Sequence, residues 1–454
     1  MQCGSVRRWL REIGGNWTSA DGNTGGQVDR GQTDEAHLFC VVPDRLIGHL
    51  DTLARSEAIT KPEQTERERE RERKRRAAEP STTATMASEP GLVYLLTGGC
   101  GFLGQHLARM LVEKEDSVSE IRLFDLHLDH SLEKLGTDRV KVRLLQGDIT
   151  DYASVREAVR GAQLVIHSAS LVDVWHRVPE QTIRAVNVQG TFNVLQACEE
   201  EGVQYLVYTS SMEVVGPNVK GDPFYRGNED TKYNIYHDMP YPKSKAEAER
   251  LVIDANGMQV KGGRTLYTCA LRPTGIYGEN HQLMRDFYNM GVRTGGWLIR
   301  GVPESTEHGR VYAGNVAWMH VLAARALRER PLKLAGEVYF CYDDSPYQSY
   351  EAFNMNFLSG FGFRQVRMPH WLLRGLAAFN DFLHTVLRPL CNYTPLLNRY
   401  TLAVACTSFT VDTDKAERHF GYQPLYSWDE CRRRTLAWVE TFPRLGESSS
   451  VKQE

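Results

Sequence analysis

The feature that most constrains the fold is a run of glycines directly after a short apolar segment. Residues 97–104 read TGGCGFLG and follow the apolar run LVYLL at 92–96. The glycines fit both the G-x-x-G-x-x-G and the G-x-G-x-x-G spacing. A strand that turns sharply into a helix points free backbone N–H groups and the positive end of the helix dipole at one place, which suits a pyrophosphate. The pattern by itself also fits a tight turn of structural glycines.

An acidic residue follows at the distance that a dinucleotide site requires. A second strand is predicted over 120–124 and ends at Asp125, roughly 20 residues past the last glycine. A carboxylate there accepts hydrogen bonds from both hydroxyls of an adenosine ribose and repels a 2′-phosphate. Neither Leu126 nor His127 supplies a guanidinium to bind such a phosphate. NAD is therefore favoured over NADP, and the alternative is an exposed aspartate at a strand end.

Composition excludes several classes of protein. Hydrophobic residues make up 41% of the chain and charged residues 24%, as in ordinary globular proteins, and the net charge of −3 gives no reason to expect nucleic acid. The cysteines are nine, an odd number, and none forms a C-x-x-C pair. This pattern predicts reduced thiols, with neither a disulfide framework nor a metal site.

The alternation of strands and helices predicts the fold class. Strands are predicted over 140–146, 162–167, 205–209 and 266–271, and helices over 105–115, 152–160, 182–200 and 242–255. Such alternation is typical of an α/β fold, here a Rossmann-type doubly wound parallel sheet with a smaller C-terminal substrate-binding region. Ligands of these folds bind at the carboxyl ends of the strands. Asp148 and Ala169 lie at two such ends, where we expect them to meet the adenine amine and to line the cofactor, although each also fits a turn.

Three regions are predicted along the chain. Residues 1–85 are rich in Gly, Thr, Arg and Glu, lack apolar periodicity and are predicted to be a disordered N-terminal extension. Their alternating Arg and Glu residues at 66–76 are what a simple nucleotide repeat encodes, so we expect a translated leader, with Met86 the usual start. Residues 86–280 are predicted to be the NAD-binding domain that carries the catalytic residues, and residues 281–445 the substrate-binding region.

Three side chains form a candidate catalytic group. Tyr241 and Lys245 are four residues apart in a predicted helix, so their side chains share one face. An ammonium beside a phenol, together with an oxidised nicotinamide, lowers the phenol pKa from about 10 toward the range of a general base. Ser211 closes the preceding strand and is placed to hydrogen-bond the substrate oxygen. The alternatives are a surface Tyr–Lys pair and a capping serine.

These residues resemble the short-chain dehydrogenase/reductase superfamily in its extended form, and more closely the 3β-hydroxysteroid dehydrogenase/Δ5-Δ4 isomerase family. The resemblance runs from about residue 92 to about 439. It rests on the glycine loop and on four further segments: YTSSMEVVGP at 208–217, YPKSK at 241–245, LRPTGIYG at 271–278 and VYAGNVAWMH at 311–320. The segments FYRGNED at 224–230 and FCYDDSP at 340–346 are most similar to the branch that oxidises 3β-hydroxy-Δ5-C27 sterols in bile-acid synthesis.

The resemblance implies an activity and a set of site residues. It implies oxidation of a 3β-hydroxyl, with Tyr241 as proton acceptor, Lys245 as its electrostatic partner and ribose anchor, and Ser211 as donor to the substrate oxygen. Residues implied to hold the NAD are Gly98, Gly101, Phe102, Leu103, Gly104, Asp125 and Pro273, the last near the nicotinamide amide. Moving the double bond into conjugation requires an acid/base, and the resemblance points to Asp343 or Asp344. Two aspartates that start a turn are the alternative.

A helix predicted near 371–390 bears on membrane association. No run reaches the roughly 18 apolar residues of a spanning helix. Its stripe consists of Leu372, Leu376, Phe379, Leu383, Val386 and Leu390. This stripe either lies in a bilayer surface or packs on the protein. Because the resemblance is to enzymes of the endoplasmic reticulum, we expect association with that membrane, a sterol as substrate and no nucleic acid, and a homodimer stays open.

Two other functions compete with this prediction. A sugar-nucleotide epimerase or dehydratase shares the NAD fold and the Ser, Tyr, Lys set, but usually carries an Arg-Asp motif that ends in aspartate, where this chain has RVYAGN at 310–315. A non-catalytic NAD-sensing protein would keep the glycine loop, but it would have no use for Tyr241 and Lys245 together.

Overall fold

A parallel sheet of seven strands organises the part of the chain that the structure describes. The computed structural model describes residues 91–444 except 176, 238, 388–392, 394 and 396, so the predictions for 1–85 and Met86 lie outside the described residues. The strands in chain order are β1 Leu92–Thr97, β2 Val118–Asp125, β3 Lys141–Gln146, β4 Leu164–His167, β5 Tyr205–Thr209, β6 Phe224–Gly227, β7 Gln259–Val260, β8 Arg264–Thr265, β9 Tyr267–Pro273, β10 Gly275–Tyr277, β11 Trp297–Arg300, β12 Arg310–Tyr312, β13 Glu337–Cys341, β14 Arg364–Arg367 and β15 Phe409–Val411.

The helices cover both faces of this sheet and build the region beyond it. In chain order they are α1 Phe102–Lys114, α2 Tyr152–Val159, α3 Glu180–Arg184, α4 Gly190–Glu201, α5 Pro240–Asp254, α6 Gln282–Arg293, α7 Ala313–Glu329, α8 Pro331–Leu334, α9 Tyr350–Leu358, α10 His370–Leu387, α11 Arg399–Ala405, α12 Lys415–Phe420 and α13 Trp428–Val439. A π-helical stretch, Ala185–Gln189, joins α3 to α4, and a 3₁₀ turn, Met212–Val214, follows β5.

The strand order confirms the predicted doubly wound parallel sheet. Across the sheet the order is β3, β2, β1, β4, β5, β9, β13, and every neighbouring pair is parallel. The chain runs outward from β1 to β3 and then returns to β4, on the other side of β1. A crevice therefore opens between the carboxyl ends of β1 and β4, where open α/β sheets bind ligands.

Burial explains why these segments become central strands. All four residues of β4 are buried, as are the last four of β1, so both strands lie between two layers of helices. On one face Leu107 and Leu111 of α1 join Val316 of α7 in a single cluster. On the other face Val194 of α4 and Val252 of α5 form the second core.

Two details differ from the sequence predictions. The seventh strand, β13, lies within the region 281–445, so a boundary at 280 does not separate the sheet from the substrate-binding part in space. The helix predicted over 182–200 is interrupted by the π-helical stretch. There the buried Asn187 accepts a hydrogen bond from the Leu171 N–H at 2.7 Å and donates to Ser244 Oγ at 2.9 Å. The wider π-helical turn thus carries a side-chain amide, that of Asn187, which is hydrogen-bonded to α5.

The region beyond the sheet is built from short parallel ribbons and aromatic packing. The ribbons pair β6 with β15, β10 with β12 and β11 with β14. Tyr277, Phe353 and Phe357 form the centre of an aromatic core, with ring centroids 4.9–5.9 Å apart. Because β10 directly follows β9, this core is anchored at the carboxyl edge of the sheet, above the crevice.

Candidate active site

The glycine loop between β1 and α1 packs so closely that side chains are excluded. Gly98 has a φ of +70°, and a Cβ there would lie 2.8 Å from Ala169 Cα. A Cβ on Gly104 would overlap the Gly98 carbonyl oxygen. Both positions therefore require glycine. The first turn of α1 has no side-chain cap at Gly101 and no acidic residue, which leaves its N–H groups available to an anion.

Asp125 lies beside this loop, as the spacing predicted. Its Oδ2 accepts a hydrogen bond from the Cys100 N–H at 3.0 Å, and its Oδ1 accepts one from the His127 N–H at 3.3 Å. The residue is half-buried. The carboxylate is thus fixed next to the glycine loop, where it can accept hydrogen bonds from a ribose.

The remaining predicted cofactor residues lie along the same edge. Ala169 faces Gly98 across the crevice, and its N–H donates to Thr97 Oγ1 at 3.2 Å. Asp148 follows β3 and accepts from the Thr150 N–H at 2.8 Å. Pro273 is the last residue of β9.

Two of the predicted residues begin α1. The Phe102 ring stacks on His281, with ring centroids 5.1 Å apart, and Leu103 is buried in the core. The edge of the sheet therefore offers a free helix N-terminus, close backbone and a carboxylate, and this donor set fits a dinucleotide.

The three predicted catalytic residues converge although they come from two segments. Tyr241 and Lys245 lie in α5 and are buried, with 6% and 2% of their surface exposed. The Ser211 hydroxyl lies near the Tyr241 phenol, close enough to lower its pKa. Lys245 Nζ donates to the Thr209 carbonyl oxygen at 2.7 Å and lies 4.4 Å from the centre of the Tyr208 ring. Ser211 also caps the turn after β5, because its Oγ accepts from the Glu213 N–H at 3.1 Å. This contact matches the capping role, while the role of Ser211 toward a substrate oxygen stays a prediction.

Burial governs the protonation of this group. It lowers the pKa of Lys245 to about 7, although the nearby Glu249 carboxylate acts in the opposite direction. Burial raises the pKa of Tyr241 well above its usual range, and the negative charge of Glu213 raises it further, while the hydrogen bond from Ser211 lowers it. The protein groups alone therefore keep the phenol protonated.

Asn187, which supports α5 through Ser244, was not recognised in the sequence. Ser244 Oγ donates to the Tyr241 carbonyl oxygen at 2.7 Å and accepts from Asn187 Nδ2 at 2.9 Å. Asn187 thereby fixes the first turn of α5, which carries the phenol. An asparagine within a helical run has no distinctive spacing, so nothing in the sequence could have marked it.

A carboxyl group next to the phenol was also missed. Glu213 lies two residues after Ser211, and the Tyr400 hydroxyl of α11 is near enough to lower the pKa of its carboxyl group. Burial raises the pKa of Glu213 to about 7. The sequence did carry a signal, because Glu213 is the one charged residue in the otherwise apolar stretch 212–216, MEVVG.

The two aspartates predicted for isomerisation have different surroundings. Asp343 is buried, and its carboxylate accepts from the Tyr312 N–H, Asn315 Nδ2 and the Ser345 N–H at 2.8, 2.9 and 3.0 Å. It thereby ties the start of α7 to the loop after β13. Asp344 is exposed. Their role in isomerisation stays a prediction, while these contacts match the alternative of a structural turn.

Helix α10 has an apolar face that the described part of the chain leaves exposed. Only Leu373 and Ala377 of this helix are buried, and they pack with Leu402. The exposed apolar side chains, with exposed fractions of 37–73%, are Trp371, Leu372, Leu376, Phe379, Phe382 and Val386. Leu383 of the predicted stripe is half-buried, and Leu390 lies outside the described residues. Within the described ranges, no helix has the length and hydrophobicity needed to pass through a bilayer.

Comparison with known proteins identifies relatives of high similarity. The family model described as 3-beta hydroxysteroid dehydrogenase/isomerase family matches residues 95–372. The 3 beta-hydroxysteroid dehydrogenase type 7 of Homo sapiens is 61% identical over 361 residues, which are 79% of this chain and 98% of the human protein. The 3 beta-hydroxysteroid dehydrogenase/Delta 5-->4-isomerase of Vaccinia virus (strain Ankara) is 44% identical over 350 residues, which are 77% of this chain and 99% of the viral protein.

Solved structures with the same fold are more distant. DesIV, a dTDP-glucose 4,6-dehydratase from Streptomyces venezuelae solved with NAD and TYD bound, superposes with a TM-score of 0.57 at 20% identity. The superposition covers 77% of this chain and 97% of that one. The UDP-glucose 4-epimerase of Thermus thermophilus, in complex with NAD, gives a TM-score of 0.53 at 20% identity and covers 77% and 99% of the two chains. At this identity the likeness establishes the fold alone.

Proposed function

The chain belongs to the 3-beta hydroxysteroid dehydrogenase/isomerase family, and we propose that it oxidises the 3β-hydroxyl of a Δ5-sterol to the 3-ketone with NAD as cofactor. The observation that carries the proposal is that the buried Tyr241 and Lys245 lie one turn apart on α5, with Lys245 bonded to the Thr209 carbonyl at the end of β5, two residues before Ser211. A protein that only sensed NAD would not need these three groups together.

Each side chain has a defined task in this reaction. NAD, which the glycine loop and Asp125 would hold, would supply an oxidised nicotinamide as the hydride acceptor for C3 and a positive charge close to the phenol. Ser211 donates a hydrogen bond to the substrate O3 and holds it against Tyr241. Tyr241 takes the hydroxyl proton as C3 becomes a ketone. Lys245, held by the Thr209 carbonyl, places its ammonium where it stabilises the phenolate and anchors the ribose.

The loop residues bind and orient the cofactor in this proposal. The N–H groups at the start of α1, from Phe102 to Gly104, receive the pyrophosphate, and Asp125 accepts the hydroxyls of the adenosine ribose. Asp148 and Ala169 line the adenine and ribose side, and Pro273 lies beside the nicotinamide amide.

The substrate that we propose is a 7α-hydroxylated C27 sterol of bile-acid synthesis, with the Δ5 double bond moved to Δ4 after oxidation. Support comes from two segments, 224–230 and 340–346, that resemble the C27 branch of the family and are in contact in the fold. Glu229 Oε1 accepts a hydrogen bond from the Phe340 N–H at 2.7 Å, and the Phe224 and Phe340 rings lie 6.1 Å apart. Support for isomerisation is the printed name of the viral relative, Delta 5-->4-isomerase.

The test is formation of NADH from three classes of substrate. The purified chain is mixed with NAD and with 7α-hydroxycholesterol, pregnenolone or UDP-glucose, and NADH fluorescence is followed. We expect NADH with the C27 sterol, with the conjugated 3-ketone identified by mass spectrometry and ultraviolet absorbance. NADH with pregnenolone instead would replace the proposed substrate. An epimerase or dehydratase returns the hydride and releases no NADH, so UDP-glucose is also analysed by chromatography, and its conversion alone would replace the sterol class.

We further propose that the protein associates with the endoplasmic-reticulum membrane through the exposed apolar face of α10. The neighbouring ribbon adds Trp297 and Ile299 of β11 and Val366 of β14, which are 42–49% exposed. These residues adjoin α10 in the fold, because β14 leads directly into the helix and a Cβ on Gly301 would meet Leu373. A helix with one apolar face that its own chain does not cover suits the surface of a bilayer, from which a sterol substrate enters.

A further inference from the structure

One arginine of the substrate-binding region is buried without a counterion. Arg310, the first residue of β12, has only 6% of its surface exposed. Within the described residues it forms no ion pair, and its buried Nε has no hydrogen-bond partner. Arg272, in contrast, donates to the Glu249 carboxylate at 2.6 and 2.8 Å. An unpaired buried guanidinium is costly, so a ligand is expected to supply the missing acceptor.

Aromatic rings and a glycine hold this guanidinium in place. Arg310 Cζ lies 4.2 Å from the centre of the Tyr350 ring and 5.1 Å from that of Phe353, both of α9. A Cβ on Gly275, the residue opposite in β10, would lie 2.8 Å from Arg310 Nη1. Gly275 follows Pro273 by two residues, so the guanidinium lies at the carboxyl edge of the sheet. Ring faces stabilise its charge but leave its in-plane N–H donors for an oxygen atom.

Two histidines near this guanidinium cannot supply the missing negative charge. Burial lowers the pKa of His281 and of His308 to about 3, and the charge of Arg310 acts in the same direction on both. Both rings are therefore neutral at neutral pH. The Nδ1 atom of each is buried and has no partner among the residues that the structure describes. Polar atoms left without partners thus surround one guanidinium, as expected in the wall of a site for a polar ligand.

The Tyr350 ring connects Arg310 to the catalytic edge. The positive charge of Arg310 lowers the pKa of Tyr350, and the negative charge of Glu213 raises it. The same Glu213 charge raises the pKa of Tyr241. Tyr350 is therefore close both to Arg310 and to the carboxyl group beside the catalytic phenol. Arg310 lies about one side chain away from the groups around that phenol.

We propose that Arg310 donates a hydrogen bond to the 7α-hydroxyl of the sterol and so selects 7α-hydroxylated substrates, an inference that rests on the proposed function. In that function the substrate O3 lies at Tyr241, at one end of the four fused rings. C7 belongs to the second ring, whereas the alkyl side chain leaves the fourth ring at the opposite end. A donor one side chain away from the groups around Tyr241 matches an oxygen on the second ring.

Selection follows from the cost of leaving the guanidinium without an acceptor. A sterol that fills the cleft displaces water from Arg310. A 7α-hydroxyl replaces that water with an oxygen, while a sterol with only hydrogen at C7 offers none. A hydrogen bond to a charged group then favours the hydroxylated sterol about 10- to 100-fold in kcat/KM.

The cofactor pyrophosphate is the other acceptor near this part of the cleft. The His281 ring stacks on Phe102, the first residue of α1, with ring centroids 5.1 Å apart. The N–H groups at the start of α1 already suit the pyrophosphate. The measurements therefore include NAD affinity, which a cofactor role of Arg310 would change and a sterol role would not.

The test compares two sterols that differ only at C7. NADH formation from 7α-hydroxycholesterol and from cholesterol is measured as kcat/KM for the wild type and for Arg310→Met, which keeps the length of the side chain and removes its donors. In the variant, kcat/KM for 7α-hydroxycholesterol should fall about 10- to 100-fold. The value for cholesterol and the NAD affinity should each change less than about threefold.

Arg364→Met is the matched control. Arg364 lies on β14 and is exposed, and its Cζ is 5.4 Å from the centre of the Trp297 ring. It shares the arginine–ring contact of Arg310 but lies on the ribbon that adjoins α10. The control variant should keep the wild-type ratio of the two kcat/KM values.

Each other outcome also decides the proposal. An equal fall on both sterols would show a structural role for Arg310, and a loss of NAD affinity would show a cofactor role, and either result overturns the inference. If Arg310→Met does not fold, Arg310→Lys decides: its shorter reach and single ammonium should lower the preference for 7α-hydroxycholesterol several-fold, and an unchanged preference overturns the inference. Wild-type protein that oxidises both sterols equally would remove the inference and leave the dehydrogenase standing. Wild-type protein inactive on sterols would remove the proposed function itself.

Discussion

The glycine loop and helix α10 are the two most conspicuous segments of the sequence, and their surroundings in the fold are opposite. The loop is closed by its own backbone, since a Cβ at Gly98 would lie 2.8 Å from the Ala169 Cα and one at Gly104 would overlap the loop itself. In α10 the apolar side chains point away from the described part of the chain, with Phe382 61% and Trp371 73% exposed.

Two sequence signals of similar strength thus differ in what their residues contact in the fold. The loop is shaped by contacts within the chain, so changes there should alter folding, cofactor binding and turnover. The apolar face of α10 has few contacts to lose, so changes there should leave the enzyme intact and alter only what the face touches. Substitutions at the catalytic edge of the sheet, in the glycine loop and on α10 can test this contrast.

The largest effect is expected at the catalytic phenol. Tyr241→Phe removes one oxygen, the atom that would accept the substrate proton. We expect turnover to fall about 10²- to 10⁴-fold, the usual contribution of a general base. NAD affinity, measured by titration calorimetry, should change less than about threefold, because the loop is untouched.

Tyr225→Phe serves as the matched control, since Tyr225 is 57% exposed on β6 and should lose no activity. If Tyr241→Phe turned over sterol at the wild-type rate, the catalytic edge would not depend on this group and the assigned base would be wrong.

The second prediction compares the stability effects of substituting a glycine of the loop and a glycine of α10. Gly104→Ala places a methyl group against the Gly98 carbonyl and should lower the free energy of unfolding by about 3 kcal/mol, with loss of NAD binding. Gly375→Ala adds the same methyl where no atom lies within 4 Å. In the middle of a helix it should raise the free energy of unfolding by about 0.5–1 kcal/mol. Urea unfolding of both variants measures the contrast, and equal effects would contradict it.

The sequence was sufficient for the parts of the site that depend on spacing along the chain. The turn from β1 into α1, the aspartate at the end of β2 and the Tyr–Lys pair on one helix face are all local patterns. Each lies in the fold where the sequence predicts it. Periodicity and turn chemistry determine such patterns within about 30 residues.

Groups that meet only through tertiary packing could not be found in this way. Tyr400 from α11 lowers the pKa of Glu213, and Asn187 reaches Tyr241 through Ser244. The strand β13 joins the sheet after a stretch of more than 60 residues beyond β9. Nothing in the spacing of these residues indicates which distant segments will pack together.

A third prediction concerns the cost of burying the lysine. The pKa of Lys245 is lowered from 10.5 to about 7 by burial, so between these pH values the unfolded chain binds more protons than the folded one. Stability should therefore rise with pH through that window. At pH 6, Lys245→Met should raise the free energy of unfolding by about 2 kcal/mol. This figure already subtracts the contribution of the hydrogen bond to the Thr209 carbonyl, which the variant loses. Turnover should be abolished. This advantage should shrink as the pH rises from about 7 toward 10.5, and near pH 10.5 the variant should be the less stable protein, because only the lost hydrogen bond then remains. If the variant were less stable than the wild type at pH 6, the buried ammonium of Lys245 would be stabilising the folded state, contrary to this prediction.

The smallest effect is expected on the exposed face of α10, and it bears most directly on the contrast. Phe379 is 54% exposed, so Phe379→Ser removes little packing within the chain and should leave unfolding in urea and NADH formation from dispersed sterol unchanged. If that face lies in a bilayer, the variant loses part of the apolar area buried there. Binding to vesicles of phosphatidylcholine, measured by flotation without detergent, should then weaken about five- to tenfold. Leu332→Ser is the control, because Leu332 on α8 is 86% exposed and does not lie on α10. Equal flotation of both variants and the wild type would mean that the exposed stripe does not contact lipid. A Phe379→Ser protein that unfolds more readily would mean that the stripe packs on protein, and α10 would then resemble the glycine loop.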